Sequence, residues 1–245
     1  MHAGLNFQEM NPPHPPQTSL LDTLRSVSRN LLVKLGLRRN SSRRLRDQPF
    51  TRSDDYWERR YSTGGNSGRG SYGPLADYKA KVINNFITTH RIQSVIEFGS
   101  GDGNQLSLFV PPRYLGLDVA GSAVQRLRER FAKDDTKTFH HYGPEVDPAA
   151  SGLRAELGLS LDVIYHLIED HVFEKYMRDL FAASERFVII YSSNTLSSGT
   201  EPHVRDRRFS EFIDAQVPHW KLAQHLENPY RADSRSDFYI YQRNP

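Results

Sequence analysis

Residues 97–104 read Glu-Phe-Gly-Ser-Gly-Asp-Gly-Asn and follow the short apolar stretch Val95-Ile96. Glycines at alternate positions let the backbone turn tightly beneath a ligand, and Glu97 sets a carboxylate at the edge of that turn. The dinucleotide fingerprint G-x-G-x-x-G needs a third glycine three residues after the second, to pack helix on strand. Counted from Gly99 and Gly101, that position is Asn104, which disfavours a nicotinamide dehydrogenase. Asp118 stands fifteen residues beyond Gly103, at the end of the apolar run Tyr114-Leu115-Gly116-Leu117. An acid there accepts hydrogen bonds from both hydroxyls of a ribose. Its plain alternative is a helix cap, a role for which Ser122 competes.

Other clusters carry chemistry. Tyr165, His166, Glu169 and Asp170 follow a further apolar run, and ligands of open α/β sheets lie at strand C-termini. His166 is the candidate general base for a hydroxyl, or a group that orders one which loses its proton late; its plain alternative is a structural hydrogen bond. His203, Arg205, Arg207 and Arg208 read either as a solvated charge run or as a clamp on an anionic substrate such as a carboxylate or phosphate. The catalytic candidates are therefore His166, Asp170 and His203. The substrate-binding candidates are Tyr165, Asn194, Arg205 and Arg208. No metal is expected: His140-His141 are adjacent and His166 and His171 are five apart, neither spacing being that of a helical metal pair. The chain contains no cysteine, which removes thiolate nucleophiles, thiolate zinc sites and disulfide scaffolds together.

These groups need a frame. Apolar runs predict buried strands over 94–98, 114–118, 157–165 and 187–191, a weaker strand near 137–140, and two closing strands over 219–225 and 236–242. Helical periodicity predicts helices from Pro74 to Ile87, over 121–132, from a capping Asp170 to about Ser184, and over 206–215. The glycine run at 99–103 should open another, with Asn104 available to cap it. Strand and helix alternate, so the expected fold is α/β with a mainly parallel sheet and helices on both faces.

The spacing E-x-G-x-G-x-G resembles the first motif of class I S-adenosylmethionine-dependent methyltransferases. The likeness extends over about residues 55–242 through YWERRY (56–61), SGRGSYGPLADYKAKVIN (67–84), LSLDVIYHLIED (159–170), VIIYSSN (188–194) and HVRDRR (203–208). It is nearest to a bacterial-type group resembling small-molecule and sugar methyltransferases. The resemblance implies a Rossmann-like fold with a seven-stranded sheet, mostly parallel, and one antiparallel strand near the C-terminus. It implies S-adenosyl-L-methionine as cofactor, with Glu97, Gly99, Ser100, Gly101, Asp118, Val119 and Leu161 around it. Trp57, Arg60 and Tyr61 read either as aromatic packing or as a lid, whose rings shield the sulfonium while the arginine pairs the cofactor carboxylate. Ser71 and Gly73 lie in the glycine-rich segment 64–73, where a loop entering a helix N-terminus favours that same carboxylate.

The implied activity is methyl transfer to an oxygen of a small molecule or glycan precursor, in the cytoplasm. The rivals are a nucleic-acid methyltransferase and a non-catalytic binding module. Amino-methylating nucleic-acid enzymes tend to carry Asn/Asp-Pro-Pro-aromatic at the fourth strand; here Ser160-Leu161-Asp162-Val163 stands there, which makes nucleic acid an unexpected partner.

Charge adds a separate element. The 245 residues sum to +3. Residues 21–46 alone hold eight Lys and Arg against Asp22, or +7, which leaves −4 for the rest. Four prolines in 11–17 disfavour regular structure, and Leu20, Leu24, Val27, Leu31 and Leu35 then fall at helical spacing. Residues 1–54 therefore read as an extension before a catalytic domain of 55–245. The basic stretch 20–46 reads either as loosely docked or disordered, or as an amphipathic helix that rests on an anionic membrane surface or partner. The pattern gives no oligomeric state.

Overall fold

A computed structural model describes residues 50–196 and 201–244. The proline-rich and basic stretches expected before residue 50 lie outside the described residues. The first described helix, α1 (Ser53–Ser62), spans the expected boundary at residue 55. After a 3-10 turn at Arg69–Ser71 comes α2 (Gly73–Thr89), with Pro74 in its first turn and Leu75, Ala76, Lys79, Ala80, Ile83 and Phe86 buried. Proline is tolerated there because its missing N–H has no partner in a helix's first turn.

The strands are β1 (Val95–Phe98), β2 (Tyr114–Asp118), β3 (Lys137–His141), β4 (Ala155–Leu161), β5 (Ser184–Ser192), β6 (Trp220–Leu226) and β7 (Asp237–Arg243). They form one sheet in the order β3-β2-β1-β4-β5-β7-β6. The first five pair in parallel, and β7 runs antiparallel to both β5 and β6. This is the expected mostly parallel seven-stranded sheet with a single reversed strand near the C-terminus.

Alternate side chains of the central strands feed two cores. Val95, Leu157, Leu159 and Ile189 pack with α2 and with α3 (Gly121–Arg130) on one face. Ile96, Phe98, Val188 and Ile190 pack with α4 (Asp170–Ala183) and α5 (Phe209–Gln216) on the other. Strands buried on both faces must read as continuous apolar runs, and these do. No helix among the described residues is long and apolar enough to cross a membrane.

Three local expectations fail for identifiable reasons. The strand expected over 157–165 ends at Leu161, because Asp162 takes a left-handed conformation (φ 59°) and a 3-10 turn, Ile164–His166, comes next. The glycine run does not open an α-helix: it leads to a 3-10 turn at Leu106–Leu108, and Pro111 and Pro112 follow closely enough to stop further winding. Asn104 accordingly caps no helix, and its amide donates to the Ser71 carbonyl at 2.7 Å. Asp170 is the first residue of α4 rather than its cap.

Gly116, in the middle of β2, lets three side chains close in on the strand. A Cβ there would lie 2.8 Å from Phe139 Cδ1 and 3.0 Å from both Ser100 Cβ and Tyr114 Cε1. A glycine inside a strand marks such a close approach. Gly116→Ala should destabilise the fold by about 1–3 kcal/mol through overpacking. The check is a lower urea midpoint with an unchanged m-value.

Candidate active site

The parallel strands point their C-terminal ends the same way, and a cavity of about 480 Å³ opens there. Gly99 and Ser100 after β1, Asp118 and Val119 around the end of β2, and Leu161 and Asp162 at the end of β4 line its floor. Trp57 and Tyr61 from α1 and Ser67 and Ser71 from the glycine-rich segment close it from above.

The floor is held by its own backbone. The N–H groups of Gly99 and Ser100 both donate to the Leu117 carbonyl, at 2.7 and 3.0 Å. Gly101 donates to Asp118 Oδ2 at 2.7 Å, and Ala120 donates to Oδ1 at 2.9 Å. Gly101 has φ 58°, and a Cβ on it would sit 2.3 Å from Ser67 Oγ. That position needs glycine for both its conformation and its clearance. Burial raises the Asp118 carboxyl to about 6 against the pull of the two N–H groups. Glu97, buried one strand over, accepts the Tyr114 hydroxyl, and burial pushes it up to about 7.

Asp102 clips the upper loop to the lower one. It accepts the Ser67 N–H at 2.8 Å, the Tyr72 hydroxyl at 2.7 Å and the Asn104 N–H at 3.0 Å. Burial opposes its ionisation, but these donors outweigh burial and hold the carboxyl below its usual range.

Helix α1 is fastened at both ends. Ser53 donates from its N–H and its hydroxyl to Glu169, at 3.0 and 2.6 Å, and its hydroxyl accepts the Ile168 N–H at 3.1 Å. At the other end Arg126 donates to the Tyr61 carbonyl, and Glu58 accepts the Ser122 N–H at 3.2 Å. Trp57 and Tyr61 stack at 5.7 Å between centroids, and Trp57 meets the edge of His166 at 5.0 Å.

Asp162 gathers donors from three elements at the end of β4. Lys79 Nζ of α2 lies 2.7 Å from its Oδ2, and the hydroxyls of Tyr165 and Ser236 reach its Oδ1 at 2.9 and 3.1 Å. His166 lines the cavity, with Nδ1 2.8 Å from the His203 carbonyl oxygen. A carbonyl only accepts, so Nδ1 carries the proton and Nε2 presents a lone pair. Burial lowers the His166 ring to about 4, so it is neutral near pH 7.

The structure brings Trp57, Tyr61, Ser71, Glu97, Gly99, Ser100, Asp118, Val119, Leu161 and His166 to the cavity. The other sequence candidates lie elsewhere. Arg60 is taken up by the Asn66 carbonyl at 2.6 Å and by the Tyr56 hydroxyl. Gly73 starts α2, and Gly101 lies in the loop under Ser67. Tyr165 turns its hydroxyl to Asp162, and Asn194 bonds Ser210. His203 stacks on Tyr56 at 4.6 Å. Asp170 is exposed and pairs with Arg207 at 2.5 Å and Arg205 at 3.0 Å, and Arg208 pairs with Glu211. The expected arginine clamp is thus committed to protein carboxylates, and Arg205, Arg207 and Arg208 line a separate surface groove. No cluster of three metal-ligating side chains occurs among the described residues.

Sequence reasoning passes over Lys79, Asp162 and Gln105, all of which line the cavity. Lys79 does leave a signal: it stands on the apolar stripe of α2, with Leu75, Ala76 and Ile83 as neighbours. Two buried polar atoms of the lining, Ser100 Oγ and Gln105 Oε1, have no hydrogen-bond partner. Such atoms cost free energy unless something else satisfies them. With the paired acids Glu97 and Asp118 beneath, the lining fits a ligand that carries both hydroxyls and positive charge.

No protein-family model matches the chain, and no curated protein sequence matches it significantly. Solved structures do. N-methyltransferase NodS from Bradyrhizobium japonicum WM9, in complex with S-adenosyl-L-homocysteine, superposes with a TM-score of 0.62 at 12% identity, over 80% of this chain and 100% of that one. Magnesium protoporphyrin IX methyltransferase ChlM from Synechocystis PCC 6803 superposes with a TM-score of 0.54 at 14% identity, over 90% and 100%. The CurJ carbon methyltransferase gives 0.52 at 14% identity over 69% of this chain, which spans only 54% of the CurJ chain. At these identities the likeness speaks to architecture. The fastening of α1 in that architecture is open to test. Ser53→Ala removes a hydroxyl that donates to Glu169 and leaves the Ile168 N–H without its acceptor, a loss of about 1–3 kcal/mol. Amide hydrogen exchange should quicken across Ser53–Ser62, while β1, β4 and β5 keep their protection. The chain has the Rossmann-like fold of class I S-adenosylmethionine-dependent methyltransferases.

Proposed function

We propose that this protein is an S-adenosyl-L-methionine-dependent methyltransferase that moves the methyl group to an oxygen of a small molecule or glycan precursor, in the cytoplasm. One observation carries the reading: the glycine loop, the paired acids Glu97 and Asp118 and the two unpartnered atoms of Ser100 and Gln105 converge on one cavity at the strand C-termini. That is where open α/β sheets take ligands. Asp118 would receive the ribose hydroxyls. Glu97, Ser100 and Gln105 would meet the polar end of the amino-acid chain. Trp57 and Tyr61 would present ring faces to the sulfonium.

When bound, the cofactor supplies a methyl group on a sulfonium, already a strong leaving group. The work left to the chain is alignment and exclusion of water. Helix α1 and the glycine-rich segment shut the cavity, and the Asp102 clip holds that segment against the loop below. His166, fixed through Nδ1, offers Nε2 as an acceptor for a group entering beside it.

Calorimetric titration with adenosylhomocysteine should show one site per chain. Gly101→Arg should abolish it while leaving the circular dichroism spectrum intact, because the added side chain drives into Ser67 and Tyr61. Absence of binding to the wild-type protein would overturn the cofactor assignment.

The raised carboxyls give the binding a pH signature. In the free protein Asp118 titrates near 6 and Glu97 near 7. A cation and hydroxyl donors placed against them favour the ionised forms, so both values fall on binding and protons are released. S-adenosylmethionine affinity should therefore climb as pH rises through about 6 to 7 and level off above. Calorimetry in buffers of different ionisation enthalpy reads the released protons, and Glu97→Gln should remove the upper part of the rise.

A further inference from the structure

Lys79 has a side chain that is 1% exposed in the wall of the cavity. An ammonium has three donors. One goes to Asp162 Oδ2, and the group otherwise rests 5.3 Å from the centre of the Tyr191 ring. A buried lysine with donors to spare is costly unless something else uses them.

Apart from the two floor acids that the reading above gives to the cofactor, the groups around Lys79 are committed to other partners or hold a proton poorly. Asp162 spends its carboxylate on three donors, from Lys79, Tyr165 and Ser236. His166 has one nitrogen committed to the His203 carbonyl, and its ring holds a proton poorly. Glu169 is occupied by Ser53, and the raised phenols of Tyr61 and Tyr176 remain protonated. Glu97 and Asp118 are given to the cofactor in the reading above and Asp102 to Ser67, Tyr72 and Asn104, and Arg52, Asp54, Tyr142, His171 and Lys175 complete the titratable lining. An alcohol or a protonated amine must lose a proton on methylation, and a carboxylate has none to lose.

We propose that the methyl acceptor presents a carboxylate oxygen held by the Lys79 ammonium, and that the product is a methyl ester. This rests on the methyltransferase reading above. The step balances without a proton transfer. A lone pair of the acceptor's carboxylate oxygen forms the O–CH3 bond, the S–CH3 bond breaks, and its electron pair stays on sulfur as the sulfonium becomes a thioether. The acceptor's negative charge and the sulfonium's positive charge disappear together. Lys79 binds the second carboxylate oxygen, while Asp162 keeps the lysine charged and in place. An acceptor bearing an ammonium would meet like charge there. The anionic group sought among Arg205 and Arg208 is thereby placed at Lys79, inside the cavity.

Two measurements test this. The full-length protein is given methyl-tritiated S-adenosylmethionine and the small-molecule fraction of a bacterial extract, and the product is treated with mild alkali. Methyl esters release their label as volatile methanol, and methyl ethers and methylamines keep it. Volatile label supports the proposal, and transfer of label that stays alkali-stable overturns it. The second measurement needs no natural acceptor. Phenylacetate, phenylacetamide and phenethylamine are titrated into the adenosylhomocysteine complex. Phenylacetate should bind at least about tenfold tighter than the other two. That preference should vanish in the double variant Lys79→Gln/Asp162→Asn, which exchanges the ion pair for an amide pair of similar shape. No carboxylate preference in the wild-type complex, including no phenylacetate binding, overturns the proposal. A protein that fails to bind adenosylhomocysteine in the first place instead overturns the cofactor assignment.

Discussion

The hydrogen bond from the Gly101 N–H to the Asp118 carboxylate ties the site together. It joins the glycine loop after β1 to the end of β2, and the second carboxylate oxygen fixes the turn into α3 through Ala120. A buried carboxylate is expensive in free energy, and two backbone donors offset part of that cost. The compensation is incomplete, as the raised carboxyl shows. The group is thus stable enough to shape the loop and still profits from any ligand that brings further donors. The same carboxylate that organises the cavity is the one that would respond to its ligand.

A second set of bonds joins the glycine loop to the segment that covers it. Asp102 and Asn104 leave the glycine loop upward and take hold of Ser67, Tyr72 and Ser71. Because Gly101 has no side chain, Ser67 and Tyr61 descend to it, and their hydroxyls lie 3.0 Å apart. Roof and floor therefore meet at the one residue where neither has bulk. Glu169 holds the far end of the roof through Ser53. Polar contacts at the two ends of α1 thus set the position of Trp57 and Tyr61, whose stacked rings line the cavity.

The parts legible in the sequence are those fixed by local pattern. Continuous apolar runs declare the parallel strands, since a strand covered on both faces has no polar side to show. The glycine loop and Asp118 are legible because backbone clearance and an acid at a strand end leave direct traces in residue type. Pairing at long range escapes. Lys79 and Asp162 are 83 residues apart in the chain and 2.7 Å apart in space, and neither member announces the other. Asp170 has the residue type of a helix cap, yet two arginines more than thirty residues downstream claim its carboxylate. The end of β4 escapes for a related reason: Val163, Ile164 and Tyr165 continue the apolar run, while the left-handed turn at Asp162 is stabilised by donors from α2 and from the loop before β7.

The distribution of charge around the cavity is set by these pairings. Arg205, Arg207 and Arg208 each have a carboxylate or carbonyl partner outside the cavity. Lys79 is buried in the cavity wall and spends one of its donors on Asp162. A charge in water is screened within about 10 Å at ordinary salt, whereas a buried one is screened far less. The donors Lys79 has left over face a ligand in the cavity, whereas the three arginines line a separate groove. Glu97 and Asp118 on the floor favour a cation and Lys79 in the wall favours an anion, so the cavity is electrostatically divided. Two ligands of opposite charge suit such a division better than one, and bringing them together cancels their charges inside the protein. A reaction that destroys both charges is favoured in a site from which water has been shut out, because the separated ions lose solvation there and the neutral products do not.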